Sequence, residues 1–207
     1  DLKTWATTHN ITYLALNDLL QILNSQNLNM PQDARTIINP VITMSCPPGT
    51  MCYFGIKSAL DLIKSQINLP NQIELIINVD GVPLFNSSVK GFWVIAGSIY
   101  KIRHSEFIIG AYFGEKKPDN SCELLRSLTD ELMDLEKECV IVKFFCCDTP
   151  ARYFIKVIKS YNGYYGCDRC IQPGSHPSGH VFLENNAPCR TNTNFRGRVN
   201  PEHHTGY

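Results

Sequence analysis

Cys167 and Cys170 stand with two residues between them in the run Gly163-Tyr164-Tyr165-Gly166-Cys167-Asp168-Arg169-Cys170. That spacing lets two thiolates reach one tetrahedral Zn²⁺. His203 and His204 follow Cys170 by thirty-three and thirty-four residues, and His176, His180 and Cys189 compete with them as further ligands. Two adjacent histidines point in different directions unless the backbone bends, so one of the pair can serve elsewhere. A redox use of the Cys pair would call for a CxxC that opens a helix; Ile171-Gln172-Pro173-Gly174 reads as a turn instead. The expected site is structural, with no open coordination position.

Asp80 and Asp148 carry a second possible chemistry. Taken singly, each has an ordinary explanation: Asp80-Gly81 is a hairpin-turn dipeptide, and Asp148 precedes a helix start, where an acid caps the helix or answers its dipole. Both, however, follow apolar segments of strand character. If those strands lie side by side and parallel, about 4.8 Å apart, the two carboxylates meet at one sheet edge, where two divalent cations about 4 Å apart bridge them. Hard oxygen ligands suit Mg²⁺ or Mn²⁺. Such a pair activates water or a 3′-hydroxyl and orients a phosphodiester.

The elements that must position these residues divide by texture. Residues 1–68 show helical spacing, with Leu16, Leu19, Leu20 and Leu23 on one stripe and Ile56, Ala59, Leu60 and Ile63 on another. Pro40, Pro47, Pro48 and Gly49 break the chain between them. Within residues 69–161, Ile73 to Val79, Phe92 to Tyr100 and Phe107 to Phe113 read as three strands in a meander. A helix follows, opened by Asn120 and Glu123 as a capping pair in which Asn120 accepts from the Glu123 amide, with Leu124, Leu128, Leu132 and Leu135 on its apolar face. Val140 to Phe145 reads as a central parallel strand buried on both faces, which would bury Cys146 and Cys147 as small apolar groups. Thr149 as N-cap and Pro150 in the first turn then start another helix. The order β-β-β-α-β-α is that of a truncated ribonuclease H-like mixed α/β sheet. Residues 162–207 lack periodicity and read as a zinc-binding insertion, while residues 1–68 form an N-terminal helical region. Trp93 is expected in the core, and Cys46 and Cys52 as free thiols.

Composition bounds the partners. Lys plus Arg and Asp plus Glu both number 19 in 207 residues, so no global positive field advertises a nucleic acid. Local cations remain: Arg152, Lys156 and Lys159 form a helical stripe near the acidic edge, able to meet a DNA phosphate, and Arg190, Arg196 and Arg198 form a basic segment farther on. No apolar run is long enough for a membrane span and no signal peptide is visible, so a soluble, intracellular chain is expected. Nine cysteines, an odd number absent from the first 45 residues, fit thiols and a metal better than a disulfide framework. Both ends have the look of cut ends, and the chain reads as an internal fragment.

The blocks Asp80-Gly81-Val82-Pro83-Leu84-Phe85 followed by Phe92-Trp93, then Cys147-Asp148-Thr149-Pro150-Ala151-Arg152, then Gly163 to Cys170 resemble, in this order, transposases of the CACTA (En/Spm) type and their animal relatives. The similarity covers residues 50 to 207. The resemblance implies an RNase H-like core with two aspartates and a glutamate, matching Asp80 and Asp148 to the first two acids and adding weight to Arg152 as a DNA contact. It implies a Cys₂His₂-type zinc site of Cys167, Cys170, His203 and His204. The third acid is expected beyond Tyr207, so this chain alone is not expected to cleave DNA. The resemblance further implies DNA partners (transposon ends and target), a homo-oligomer when full length, no membrane, and a nuclear location. The alternative is a domesticated or decayed relative that binds DNA or protein without catalysis.

Overall fold

A computed structural model of the chain describes residues 1–38, 43–83, 91–175, 182–184 and 186–206. It divides into two compact units, Asp1–Ile42 and Thr43–Tyr207. The first is helical: α1 (Leu2–Thr8), α2 (Tyr13–Ser25) and α3 (Ala34–Ile38). Asp1 and Thr12 cap the first two helices with their side-chain oxygens. Ala6, Leu16, Leu20 and Ala34 form a small core of their own, with Leu19 packed against it, as the leucine stripe of α2 predicts.

The second unit is a mixed α/β fold on a six-stranded sheet. Its strands are β1 (Thr43–Cys46), β2 (Gly49–Tyr53), β3 (Ile73–Pro83), β4 (Gly91–Ile99), β5 (Phe107–Gly114) and β6 (Val140–Cys147), in the order β1-β2-β5-β4-β3-β6. All neighbours are antiparallel except β3 and β6, which run parallel. The helical texture expected up to residue 68 therefore ends early. Residues 43–53 pair as a hairpin that extends the sheet through β5, because Met51 alternates inward with Cys46 and both join the sheet's core. Beyond the hairpin, α4 (Ile56–Lys64) keeps the expected apolar stripe, with Ile56 and Leu60 buried.

Helices α5 (Ser121–Glu136) and α6 (Thr149–Lys156) both pack on β6. α5 buries Leu124, Leu128 and Leu135 in the same core cluster as Leu75, Ile77, Val79 and Ile95. Trp93 is buried as expected, its ring 4.9 Å from that of Phe154 on α6. The core is thus one layer of alternating strand residues under these helices. Asn120 caps α5, but its side chain accepts from the Cys122 amide at 2.8 Å and not from that of Glu123.

β6 departs from expectation. It is an edge strand among the described residues, and beyond Val140 its side chains are half-buried or exposed, Phe144 at 48% and Phe145 at 44%. Cys146 is exposed and Cys147 half-buried, so neither is the buried filler predicted. An apolar run on both faces reads the same whether a strand has one neighbour or two; only the pairing decides it.

Candidate functional site

The pairing of β3 with β6 brings the two aspartates to one place. Val79 pairs with Cys147, and the next residues in each chain are Asp80 and Asp148. Asp80 lies inside β3, opposite Val94 of β4, and not at the strand's end, so the hairpin-turn reading of Asp80-Gly81 fails. Strand alternation turns Asp80 away from the layer containing Ile77 and Val79 and leaves it half-buried. Gly81 is needed in that strand: a Cβ there would come within 2.9 Å of the Trp93 ring.

Asp148 is exposed and caps α6, one position earlier than the Thr149 cap expected. One carboxylate oxygen, Oδ1, accepts from the Ala151 amide at 2.7 Å. The capping role and a place beside Asp80 are therefore compatible, because the cap engages one oxygen only.

The cations nearest this edge are already engaged. Arg152 Nε lies 3.1 Å and Lys156 Nζ 3.9 Å from Asp168 Oδ2, which sits between the two cysteines of the Cys pair. Arg152 Nη2 also reaches Thr149 Oγ1 at 3.5 Å, and Lys156 Nζ stands over the Phe195 ring at 5.9 Å. Arg196, in α7 (Asn192–Arg196), is exposed. An open cleft of about 840 Å³ adjoins the start of both α5 and α6, lined by Lys116, Lys117, Asn120, Pro150, Tyr153 and Tyr161. Sequence reasoning missed these two lysines, which lie in a short polar loop with no periodicity to mark them.

The Cys/His segment folds through hydrogen bonds. Cys167 and Cys170 place their sulfurs 3.2 Å apart, and the Cys170 amide donates to Cys167 Sγ at 3.3 Å. Cys170 forms an isolated antiparallel bridge with Cys189. Gln172, buried, donates from Nε2 to Cys170 Sγ at 3.5 Å and accepts from the Glu184 amide at 2.9 Å. Burial raises the Cys170 thiol, but hydrogen bonds with Cys167 and Gln172 and the nearby Arg190 charge outweigh it and hold the pKa below the ordinary thiol value.

His203 ends a 3-10 turn, Pro201–His203, and is fully buried. Its Nδ1 lies 2.6 Å from the Tyr165 carbonyl oxygen, while Nε2 is buried with no hydrogen-bond partner. Burial lowers its pKa, as it does for His204, so both imidazoles favour the neutral form that a metal ligand requires. His204 turns elsewhere: its ring lies 4.9 Å from that of Phe195 and at 81° to His203.

By donor type alone, Cys167, Cys170 and His203 are residues that zinc takes as ligands. A carbonyl on Nδ1 is the usual outer-shell partner of a His that ligates through Nε2, and the orphaned Nε2 lacks any other use. Convergence is not complete: among the described residues, no three His, Cys, Asp or Glu side chains gather where they could hold a metal ion, at this segment or at the Asp80 edge. His176 and His180 lie outside the described residues. Arg190, expected in a DNA-facing basic segment, is instead half-buried, donating from Nε to the Cys167 carbonyl oxygen at 3.0 Å and from Nη1 to Asn200 Oδ1 at 3.2 Å. Among the described residues, no helix is long and apolar enough to cross a membrane. Comparison with protein-family models, with curated proteins and with solved structures finds no match to this chain.

Proposed function

We propose that the sheet unit contains the RNase H-like core of a DDE-type DNA transposase related to the CACTA (En/Spm) class, and that residues 162–207 are its zinc-binding insertion. The observation that carries this reading is the parallel register of β3 and β6, which sets Asp80 beside Asp148. The order β5-β4-β3-β6, with three antiparallel strands followed by helix α5 and a parallel fourth, supports it. Transposon ends and target DNA in the nucleus are the substrates of this reading, with a homo-oligomer as the acting form.

A divalent Mg²⁺ or Mn²⁺ at this edge would supply charge stabilisation and activate the attacking water or 3′-hydroxyl. Asp80 and the carboxylate oxygen of Asp148 not used by the cap would hold it. The cleft beside the starts of α5 and α6 offers Lys116 and Lys117 to a phosphate backbone and the exposed Tyr161 to bases. Arg152 meets DNA only after leaving Asp168. Zinc, held by Cys167, Cys170 and His203, would have a structural role, fastening a segment with little apolar burial; His204, expected as a further ligand, would have to turn away from Phe195 to join it.

Titration with Mn²⁺, read by paramagnetic broadening of backbone resonances, tests the acidic edge. Broadening confined to the residues around Asp80 and Asp148, and abolished in both Asp80→Asn and Asp148→Asn, is expected. Asn retains the helix cap, so Asp148→Asn isolates the charge. Broadening that ignores both substitutions sinks the catalytic reading. The alternative, a transposase-derived binding module without catalysis, draws on Asp148 having a structural duty of its own and on the lack of a third acid joined to the pair among the described residues. For the same reason the chain alone is expected not to nick DNA; metal-dependent nicking would overturn that expectation.

A further inference from the structure

Lys116 and Lys117 sit on a loop that the rest of the fold holds in place. The buried Tyr112 donates its hydroxyl to the Lys116 carbonyl oxygen at 2.8 Å, and the Asp119 amide donates to the Pro47 carbonyl oxygen at 2.9 Å. Gly91 lies against the same loop, where a Cβ would come within 2.8 Å of the Lys116 backbone. Both lysine side chains nevertheless remain exposed. Lys116 Nζ is 3.0 Å from Asp119 Oδ1, an exposed pair of the kind that contributes little and yields readily to another anion. Lys117 Nζ stands 5.3 Å from the centre of the Phe154 ring.

These lysines line the cleft of about 840 Å³ described above, and with Asp119 they are its charged lining residues, two cations against one anion. α6 and the residues after it supply aromatic lining. Tyr161 is 57% exposed, and its ring lies 6.1 Å from that of the buried Tyr153. The cleft is also at the same end of the sheet as the two aspartates. Gly91 pairs with Pro83 of β3 on one side and with Gly114 of β5 on the other, so residues 115–120 leave the sheet a few residues past the level of Asp80. Pro150, two residues after Asp148, lines the cleft as well.

We propose that this cleft takes an unpaired stretch of a DNA strand, with phosphates at Lys116 and Lys117 and a base against Tyr161. Its volume is that of a site for a small ligand, which admits a nucleotide or two and not a double helix. In a duplex the base faces are covered by their neighbours, so an aromatic side chain reaches one only where the strand is unpaired, and stacking of that kind accepts any base. The proposal rests on the DNA reading above and narrows it: the strand that approaches the acidic edge is locally single-stranded. It does not depend on a metal at either candidate site.

Fluorescence anisotropy of the full chain tests this, with a short labelled single strand of mixed sequence, the same strand in a blunt duplex, and an abasic strand of equal length. The single strand should bind more tightly than the duplex. Tyr161→Ala should weaken single-strand binding about 5- to 100-fold, Tyr161→Phe should bind as wild type does, and the abasic strand should be indifferent to both changes. Replacing Lys116 and Lys117 together by alanine should lower the slope of log K against log salt by about 1.4, at about 0.7 per phosphate contact. Duplex bound as tightly as the single strand overturns the proposal, as does Tyr161→Ala equal to wild type, or a wild type that binds neither nucleic acid. Inorganic polyphosphate bound as well as the single strand, whatever stands at position 161, reduces the cleft to a general anion surface and overturns it too. Absence of Mn²⁺ broadening at Asp80 and Asp148 with single-strand binding intact removes the catalytic reading and leaves this site standing.

Discussion

The sheet and the Cys/His segment belong to one compact unit yet are held by opposite means. In the sheet, Leu75, Ile77, Val79, Ile95, Ile109 and Tyr112 are buried almost completely beneath α4 and α5. In residues 162–206, the buried described side chains are Gln172 and His203, both polar, and no described hydrophobic residue reaches that level of burial. Area holds the first and directional bonds hold the second. Apolar burial tolerates small displacements because it is non-directional, whereas a hydrogen bond weakens steeply when bent. Positional control of ligands in the second region therefore depends on a few named contacts, and those contacts are where it can be broken.

The largest effect is expected from Ile77→Ala. The cavity left in a layer sealed by α5 should cost about 2–5 kcal/mol, and because the segment is anchored on α6, both regions should lose structure in one transition. Urea denaturation followed by tryptophan fluorescence and by amide exchange in residues 162–175 checks this. Two separate transitions would mean that the segment stands alone.

Glu131 tests whether a polar contact can matter as much inside the sheet's own layer. Its carboxylate accepts from the Tyr53 hydroxyl at 2.6 Å and from the amides of Ile56 and Lys57 at 2.8 and 2.9 Å, capping α4, whose own N-cap, Gly55, has no side chain to do so. All three partners are donors, so Glu131→Gln sets an NH₂ against at least one of them and should cost about 1–3 kcal/mol. Burial, then the hydrogen bond to Glu131, pushes the Tyr53 hydroxyl far above its usual pKa. The folded state thus holds a proton that the unfolded chain releases near pH 10. Stability from this group is intact below pH 10 and falls as pH rises above it. Denaturation midpoints between pH 9 and 11 should drop in wild type and drop less in Tyr53→Phe.

How much of this was legible beforehand follows the same division. Helical stripes on α2, α4 and α5 and the strand holding Asp80 carry periodicities of 3.6 and 2 that burial imposes on sequence. The hairpin of residues 43–53 was not legible, because Pro47, Pro48 and Gly49 read as a breaker whether they join two strands or two helices. The edge position of β6 was hidden by its apolar run. In the Cys/His segment, the Cys pair and His203 announced themselves by residue type and spacing. Arg190, Asn200, Gln172 and Asp168 did not, since their roles come from contacts between residues 10 to 23 apart, many of them to backbone carbonyls, which leave no pattern.

Asp168→Asn should act on the segment alone. The ion pair with Arg152 is partly exposed on the arginine side, and pairs of that kind contribute about 0.2–1 kcal/mol. Amide exchange should quicken in residues 163–170 while β3, β4 and α5 keep their protection. Equal quickening in β3 would mean that Asp168 supports the sheet and not only the segment's attachment to α6.

The smallest effect is expected where the sheet has no cover. Phe145 sits on β6 beside β3, paired with Ile77 across the ladder, and 44% of it is exposed. Its neighbours on the strand, Phe144 and Cys146, are exposed too, and Lys143 is the strand's one charge, tied at 2.8 Å to Glu74. Replacing an exposed aromatic with Phe145→Lys removes little burial, so the denaturation midpoint should correspond to a change within about 0.5 kcal/mol. An apolar edge is also a template for pairing with another chain, and a lysine on it opposes that pairing. Sedimentation velocity should accordingly show less concentration-dependent association for Phe145→Lys than for wild type. A loss of several kcal/mol instead would mean that the phenyl ring is buried in the folded protein, and the division between a covered inner sheet and an open β6 edge would have to be redrawn.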